Sequence, residues 1–257
     1  MNSIREKFSL KDKVAVVTGG GRGIGRAIAL ALAEAGATVV PTSRTQEEVD
    51  SVAKEIEKLG QRALPIVTDV SAAESVKALV EKTLKTFGKI DILVNGAGIS
   101  PVWKRIEELT ESEWDRILSV NLKGVFLCSR EVGKAMIARQ SGSIISIASI
   151  SGFTGTSHMG AYSVSKAGVM QLTRVLAMEW AKHSIRVNTI APGWVKTQMS
   201  AGVLSHEKIS QSLLAQVPMK RAAEPEEIAG MAVYLASEAS SFVTGQVFIV
   251  DGGQAMR

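Results

Sequence analysis

A tyrosine and a lysine stand four residues apart in the segment Tyr162-Ser163-Val164-Ser165-Lys166. Side chains at this spacing share one face of a helix. A tyrosine ordinarily loses its proton at roughly pH 10 and a lysine at roughly pH 10.4, and a cation beside the phenol favours the phenolate. The pair therefore predicts a tyrosine that exchanges a proton with a carbonyl or an alcohol near neutral pH. Alone, the spacing is also typical of a surface contact.

The segments that must position this pair alternate between apolar strands and helices. Strands are predicted at 13–18, 37–42, 63–67, 90–94, 143–148, 185–191 and 246–250. Helices are predicted at 26–35, 46–59, 73–87, 111–139, 162–182 and 225–236. Regular alternation predicts an α/β fold with a parallel sheet and helices on both faces. Right-handed crossovers make such a sheet doubly wound, with ligands at the carboxyl ends of its strands.

The composition indicates one globular domain that spans 1–257. Its 257 residues contain no linker or low-complexity tract, and no apolar run has membrane-spanning length. The single cysteine, Cys128, cannot form an internal disulfide, which favours a reducing compartment and predicts a cytoplasmic protein. The net charge is +5, but the basic residues are scattered, which argues against a nucleic-acid surface.

A glycine-rich turn follows the first predicted strand and opens a helix. Glycines let backbone N–H groups approach phosphate oxygens, and the helix N-terminus adds a favourable dipole. The spacing is G-x-x-x-G-x-G rather than the commoner G-x-G-x-x-G. We predict that this turn binds a cofactor phosphate through Gly19, Gly21, Arg22, Gly23, Ile24 and Gly25.

The second predicted strand ends in Pro41-Thr42-Ser43-Arg44-Thr45, without an acidic residue. A site for NAD places an acid near this point for the ribose 2′-hydroxyl. Ser43 can hydrogen-bond a 2′-phosphate, Arg44 can pair with it, and Arg22 could reach the same group. Either arginine alone could be a solvated turn residue. Both arginines and the missing acid predict NADP(H) as the cofactor.

Several motifs fall in one order along nearly the whole chain. They are the glycine turn, Asn95-Gly96-Ala97-Gly98 after the fourth strand, Asn121, Ser149 and Tyr162-x-x-x-Lys166. Together they resemble the short-chain dehydrogenase/reductase family. The resemblance implies a Rossmann-type domain with about seven strands, a nicotinamide cofactor and a homotetramer. This chain departs from the family at Gly96, where asparagine is common, and the departure concerns a local hydrogen bond in the sheet rather than the chemistry.

The resemblance also assigns roles to residues. Ser149 and Tyr162 would hydrogen-bond the substrate carbonyl, and Tyr162 would donate the proton. Lys166 would lower the tyrosine pKa and hold the nicotinamide ribose, and Asn121 would hold a water of a proton relay. Ser149 is chosen over Ser146 and Ser151 because its separation from Tyr162 resembles the family's. Further cofactor contacts are implied at Asp69, Val70, Asn95, Ala97, Gly98, Pro192, Gly193, Val195 and Thr197, beside Tyr162 and Lys166.

The segment 194–221 lies between the sixth strand and the last helix. A long segment at the carboxyl end of a sheet often forms a lid over the substrate. The same sequence pattern also fits a helical hairpin packed on the surface. Pocket walls are predicted at Ser100, Trp103, Ser151, Phe153, Met159, Trp194 and Met199. These residues predict a partly aromatic pocket for a ketone of moderate size, and no metal-ligand spacing is present.

The two longest predicted helices, 111–139 and 162–182, have apolar positions on more than one face. Such helices need a second partner, so we expect a subunit interface there, and the last strand resembles a second interface of the family's tetramers. The sequence thus predicts a cytoplasmic NADP(H)-dependent carbonyl reductase or alcohol dehydrogenase. The alternatives are a 3-oxoacyl-carrier-protein reductase, a gluconate-type sugar-acid dehydrogenase, or a non-catalytic NADP(H) sensor.

Overall fold

A single parallel sheet of seven strands organises the chain in the computed structural model, which describes residues 3–100 and 102–256. The strand order is β3-β2-β1-β4-β5-β6-β7, and every neighbouring pair is parallel. The strands are β1 Val14–Thr18, β2 Thr38–Ser43, β3 Ile66–Val67, β4 Ile92–Asn95, β5 Gly142–Ile147, β6 Ile185–Pro192 and β7 Val247–Val250. The predicted doubly wound α/β fold is confirmed.

Helices cover both faces of the sheet. They are α1 Ile4–Phe8, α2 Gly23–Glu34, α3 Gln46–Lys58, α4 Ala73–Phe87, α5 Glu111–Leu118, α6 Gly124–Arg139, α7 Gly160–Trp180, α8 Gln198–Leu204, α9 Glu207–Ala215 and α10 Pro225–Ala236. Helices α2, α3 and α10 contribute to one large apolar cluster, α4, α6 and α7 to a second, and α6 and α7 also to a smaller third. No helix among the described residues is both long and apolar enough to cross a bilayer.

Burial on both faces explains why the strands are continuously apolar. In β1, Ala15 and Val17 belong to the first cluster, whereas Val16 belongs to the second. Successive side chains of a strand point to opposite faces, so a strand covered on both sides needs an apolar residue at every position. The continuous run that predicted β1 follows directly from this arrangement.

The strand order reverses at β1, which pairs with β2 on one side and β4 on the other. The register places Thr18 beside Asn95 at the carboxyl ends of the two strands. The loops that follow must diverge to opposite faces of the sheet, and a crevice opens between them. The glycine turn and the segment Gly96–Ile99 border this crevice.

Two predicted elements differ in the structure. The strand predicted at 63–67 is reduced to Ile66–Val67, with Ala63 forming an isolated bridge to Val39, because Pro65 has no N–H to donate to a ladder. The helix predicted at 111–139 is divided into α5 and α6 by a π-helical turn, Ser119–Lys123. The extra residue of a π turn shifts the side chains on either side, and such turns are common at functional sites.

Candidate active site

A cavity of about 1120 Å³ lies at the carboxyl ends of the strands. One end is bordered by the glycine turn and the end of β2, and the other by α8 and α9 with the segment that precedes α7. Tyr162, Lys166 and Ser149 lie between these two ends. The sheet therefore supplies one continuous space in which a dinucleotide and a second molecule can meet.

Tyr162 and Lys166 come from the first and second turns of α7, and Ser149 caps the short 3₁₀ turn after β5. The Lys166 side chain is 5% exposed, its Nζ donates to the Ile147 carbonyl at 2.9 Å, and it lies 5.5 Å from the centre of the Tyr162 ring. The Ser149 Oγ accepts from the Ser151 N–H at 3.2 Å. A hydroxyl, a phenol and an ammonium group thus converge at the middle of the cavity.

Burial controls the protonation of this group. It raises the pKa of Tyr162 above its usual value, while the hydrogen bond with Ser149 acts in the opposite direction. It also lowers the pKa of Lys166 from 10.5 to about 8. The Tyr/Lys spacing predicted a lowered pKa for Tyr162, whereas the structure raises it. Removing the phenolate from water destabilises it more than the neighbouring polar groups stabilise it. Tyr162 therefore carries its proton at neutral pH.

Asn121 sits within the π turn and is fully buried. Its Oδ1 accepts from the Ile99 N–H at 2.8 Å, and its Nδ2 donates to the Ile99 carbonyl at 3.2 Å and to the Ser165 Oγ at 3.4 Å. A methyl group on Gly98 would lie 3.4 Å from Asn121 Oδ1 and 3.7 Å from Lys166 Nζ. The π turn thus fastens the loop after β4 beside the buried lysine.

The glycine turn is packed too tightly for side chains. A Cβ on Gly25 would overlap the Gly19 carbonyl oxygen, and Gly19 itself has φ +67° and faces the Ala97 backbone, 2.8 Å from where its Cβ would be. This packing leaves the N-terminus of α2, a helix of 12 residues, facing the cavity. Free N–H groups at a helix N-terminus and a glycine cradle fit the diphosphate of a dinucleotide.

An acid from α3, which the sequence analysis missed, lies next to the end of β2. Glu48, in the first turn of α3, places its carboxylate 3.3 Å from Arg22 Nη1 and 3.4 Å from the Ser43 Oγ. Arg22 also hydrogen-bonds Gln198 at the start of α8. Asp69 lies at the same end, where hydrogen bonds from Ser71 and the charge of Arg44 lower its pKa. The pocket combines two guanidinium groups with two carboxylates.

The structure brings most of the predicted site residues to the cavity wall. They are Gly19, Arg22, Gly23, Ile24, Gly25, Ser43, Arg44, Asp69, Val70, Ala97, Gly98, Ser100, Trp103, Ser149, Ser151, Met159, Tyr162, Lys166, Pro192, Gly193, Trp194, Val195, Thr197 and Met199. The predicted excursion 194–221 forms α8 and α9, which border the substrate end.

Four predicted residues do not line the cavity. Asn95 is buried at the end of β4, where its Nδ2 donates to Ser129 and Ser146. Asn121 lies behind the Gly98–Ile99 backbone. Gly21 is covered by Glu48. Phe153 follows the 3₁₀ turn, is 46% exposed and is not among the residues that border the cavity, so its place in the pocket wall stays a prediction.

Other wall residues were not predicted at all. They include Glu48, Thr68, Arg116, Gln198, Gln216 and Gln254. Gln254 lies only three residues before the end of the chain, and its Oε1 is buried without a hydrogen-bond partner among residues 3–100 and 102–256. A motif search passes over such residues because the sheet brings them to the site from distant points of the chain.

Comparisons with known proteins agree with this site. A family model described as enoyl-(acyl carrier protein) reductase matches residues 19–255. The 3-oxoacyl-[acyl-carrier-protein] reductase of Thermotoga maritima is 40% identical over 95% of this chain and 98% of that protein. The 2-dehydro-3-deoxy-D-gluconate 5-dehydrogenase of Pseudoalteromonas atlantica is 41% identical over 96% of this chain and 98% of that protein.

Solved structures give the same result. One of a candidate NAD(P)-dependent gluconate 5-dehydrogenase from Beutenbergia cavernae, with NADP at low occupancy, has a TM-score of 0.93 at 42% identity. The match covers 98% of this chain and 100% of that one. A dinucleotide fold with a tyrosine and a lysine at its centre defines a nicotinamide-dependent oxidoreductase, and this chain belongs to the short-chain dehydrogenase/reductase family. The predicted family, enzyme class and NADP(H) cofactor are confirmed.

The buried ammonium group predicts a pH-dependent cost to stability. The pKa of Lys166 is about 8 in the folded chain, against a usual value of 10.5, so the unfolded chain binds more protons between these values and stability rises with pH there. Lys166→Met removes this cost. We expect it to raise the free energy of unfolding at pH 7 by about 1–3 kcal/mol, with the difference shrinking toward pH 10.

Urea denaturation at pH 7 and at pH 9.5 measures this difference. The exposed Lys54 in α3 provides the control, because Lys54→Met should leave the free energy of unfolding nearly unchanged at both pH values. A Lys166→Met protein that is less stable than the parent at both pH values would mean that the hydrogen bond to Ile147 outweighs the cost of burying the charge.

Proposed function

We propose that the protein reduces a ketone, or oxidises the corresponding secondary alcohol, with NADP(H). The observation that carries this proposal is the convergence of the Tyr162 phenol, the Ser149 hydroxyl and the buried Lys166 at the middle of the cavity. The cofactor, when bound, supplies or accepts a hydride at the substrate carbon. The side chains of the chain supply position and the proton.

Each side chain has a role that its surroundings support. Ser149 and Tyr162 donate hydrogen bonds to the substrate carbonyl oxygen, and Tyr162 passes its proton to that oxygen as negative charge develops. The raised pKa of Tyr162 keeps the phenol protonated at neutral pH, which suits reduction. Lys166 stabilises the phenolate that remains. Asn121, next to Lys166, is the proposed anchor of a proton path to solvent.

The far end of the cavity favours a hydroxylated substrate. Besides the apolar Trp103, Trp194 and Met199, hydroxyl and amide groups line it, namely Ser151, Thr154, Thr156, Ser157, Gln216 and Gln254. The buried Gln254 Oε1 has no partner among the described residues, and an unpaired buried acceptor costs about 1–3 kcal/mol. A substrate hydroxyl could donate to it.

These features support a sugar-acid ketone over a fatty acyl chain. Arg116 reaches the cavity wall and forms no ion pair within the described part of the chain, so it is placed to attract a carboxylate. The relative from Pseudoalteromonas atlantica carries the name of a dehydrogenase of a keto-sugar acid. Reduction of a 3-oxoacyl carrier-protein substrate is the second candidate, supported by the relative from Thermotoga maritima.

The assembly and location belong to the proposal as well. Phe126 on α6 and Met178 on α7 are 42% and 86% exposed, as expected of helices whose outer faces meet a second subunit. We therefore propose a homotetramer in the cytoplasm. A non-catalytic NADP(H) sensor would not require the phenol, hydroxyl and ammonium groups that meet in the cavity.

Tyr162→Phe tests the catalytic proposal. The phenylalanine keeps the ring but cannot donate a proton, so we expect turnover to fall by about 100- to 10,000-fold while NADPH affinity is unchanged. Initial rates of NADPH oxidation and a fluorescence titration of NADPH measure the two quantities. Substantial remaining turnover would refute the role of Tyr162, and an active site that binds NADPH but turns over no carbonyl would favour the sensor.

Gln254→Leu tests the substrate class. The panel contains a keto-sugar acid, a 3-oxoacyl thioester, a β-ketoester, a diketone and an aryl ketone, all with NADPH. We expect the keto-sugar acid to have the highest kcat/KM and to lose roughly tenfold or more in the variant, because its hydroxyl loses an acceptor. The aryl ketone is the internal control and should change little. A variant that affects all substrates equally would contradict a contact between Gln254 and the substrate.

Light scattering after size-exclusion chromatography tests the assembly. A tetramer should elute with four times the chain mass of 27.3 kDa, and Met178→Lys should lower that mass by placing a charge in an apolar contact. A single-chain mass at micromolar concentration would overturn the proposed tetramer.

A further inference from the structure

Glu48 occupies the part of the cavity where Arg22, Arg44 and Ser43 were expected to receive the cofactor's 2′-phosphate. Its carboxylate contacts Arg22 at 3.3 Å and Ser43 at 3.4 Å. The side chain is 28% exposed, so it is partly shielded from water, and it lines the cavity itself. An acid therefore contacts two of the three groups that predict NADP(H), and it shares the Ser43 hydroxyl with the Thr45 carbonyl, which lies 3.1 Å away.

The local sequence would direct this carboxylate elsewhere. Thr45 precedes α3 and Glu48 follows three residues later, the spacing of a capping box, in which the glutamate accepts the N–H of the capping residue. Here the Thr45 N–H donates to the Ser43 Oγ at 3.1 Å, and the Thr45 side chain makes no capping bond. Ser43 thus replaces Glu48 in the cap, and the Glu48 carboxylate turns to Arg22.

The glycine turn makes room for this contact. A Cβ on Gly21 would lie 2.8 Å from the Glu48 Cβ and 3.0 Å from its Oε2, so a larger residue at Gly21 would push Glu48 away. The close approach of α3 to the turn is therefore built into the backbone.

Two acids lie near Arg22, Glu48 and Asp69, and they have different partners. Asp69 is held by Ser71, whose N–H and Oγ donate to its Oδ1 at 2.9 and 2.6 Å. Arg44, the residue after Ser43, is exposed and forms no ion pair among the described residues. Gln198 is neutral and does not compete for charge. Glu48 is thus the carboxylate that a phosphate must displace from Arg22.

We propose that Glu48 is a specificity residue that weakens the preference for NADP(H) over NAD(H), because its carboxylate competes with the 2′-phosphate for Arg22 and Ser43. The Glu48 carboxylate and the 2′-phosphate are both negatively charged and need the same hydrogen-bond donors. The competition therefore lowers the affinity only for a nucleotide that carries the 2′-phosphate. The inference concerns the confirmed cofactor and does not depend on the substrate class.

The test uses nucleotide fragments, whose binding needs no turnover. Isothermal titration calorimetry measures the Kd of 2′,5′-ADP and of 5′-AMP for the full chain and for Glu48→Gln. We expect Glu48→Gln to bind 2′,5′-ADP about three- to tenfold more tightly, as removal of a partly screened like charge predicts, and to bind 5′-AMP with unchanged affinity. NADPH and NADH titrations should show the same difference.

Two controls separate this effect from a general change of charge or fold. Glu47 is the exposed neighbour in the same helical turn, and Glu47→Gln should leave both Kd values unchanged. In an Arg22→Gln background the effect of Glu48→Gln should shrink, because the shared donor is gone. Thermal melting curves monitor folding of each variant.

Other results of the same titrations would overturn the proposed role of Glu48. If Glu48→Gln leaves the affinity for 2′,5′-ADP unchanged, Glu48 does not compete with the phosphate, and the proposal fails. If Glu48→Gln weakens that affinity, Glu48 orients Arg22 for the phosphate, and the proposal fails as well. If the affinity for 5′-AMP rises by the same factor as that for 2′,5′-ADP, the carboxylate does not distinguish the phosphate, and the proposal also fails.

Discussion

The ammonium group of Lys166 is held away from water at the point where α7 meets the end of β5. Its hydrogen bond to the Ile147 carbonyl joins the two elements, and the packing around it is tight. A Cβ on Gly152 would lie 2.9 Å from the backbone of Lys166 and Ala167 in the following helix, so the 3₁₀ turn after β5 rests directly on α7. Because of this contact, Ser149 in the turn and Tyr162 on the helix face the same space.

The irregular backbone nearby is explained by the hydrogen bonds of Asn121 with the backbone of Ile99. The π turn Ser119–Lys123 places Asn121 against the Gly98–Ile99 backbone, which lies next to Lys166. A regular helix would rotate Asn121 away from that loop, since one inserted residue shifts a helix by about 100°. The site therefore departs from regular helical geometry at this π turn, and the departure lets Asn121 bond the backbone of Ile99.

Sequence patterns predicted the regular parts of the fold because their signals are local. Helix α10 begins at Pro225, a favoured first residue, and α4 ends before Gly88 in the left-handed conformation, so both predicted ranges, 225–236 and 73–87, match. The shortened β3 follows from Pro65, which a stricter reading of strand chemistry would have found. The π turn has no comparable signal, because its cause is a contact with residues far away in the chain.

Side-chain direction was harder to predict than position. Phe153 closely follows Ser149 in sequence, yet it does not border the cavity. Glu48 lies in a helix that was predicted correctly, yet its carboxylate reaches the glycine turn. The absence of an acid at the end of β2 is true of the sequence but not of the space around Ser43. An acid can enter that space from the next helix because only two residues, Arg44 and Thr45, separate Ser43 from the start of α3.

The two ends of the cavity are held by different means. Tyr162, Lys166 and the glycine turn lie on or beside elements whose side chains form the apolar core, so the core fixes their geometry. The substrate end is bordered by α8 and α9, whose described residues include no buried side chain. Few core contacts oppose a change of side chain or of backbone there. The positions of Tyr162 and Lys166 are therefore determined by the packed core, whereas the walls that α8 and α9 form are constrained much less.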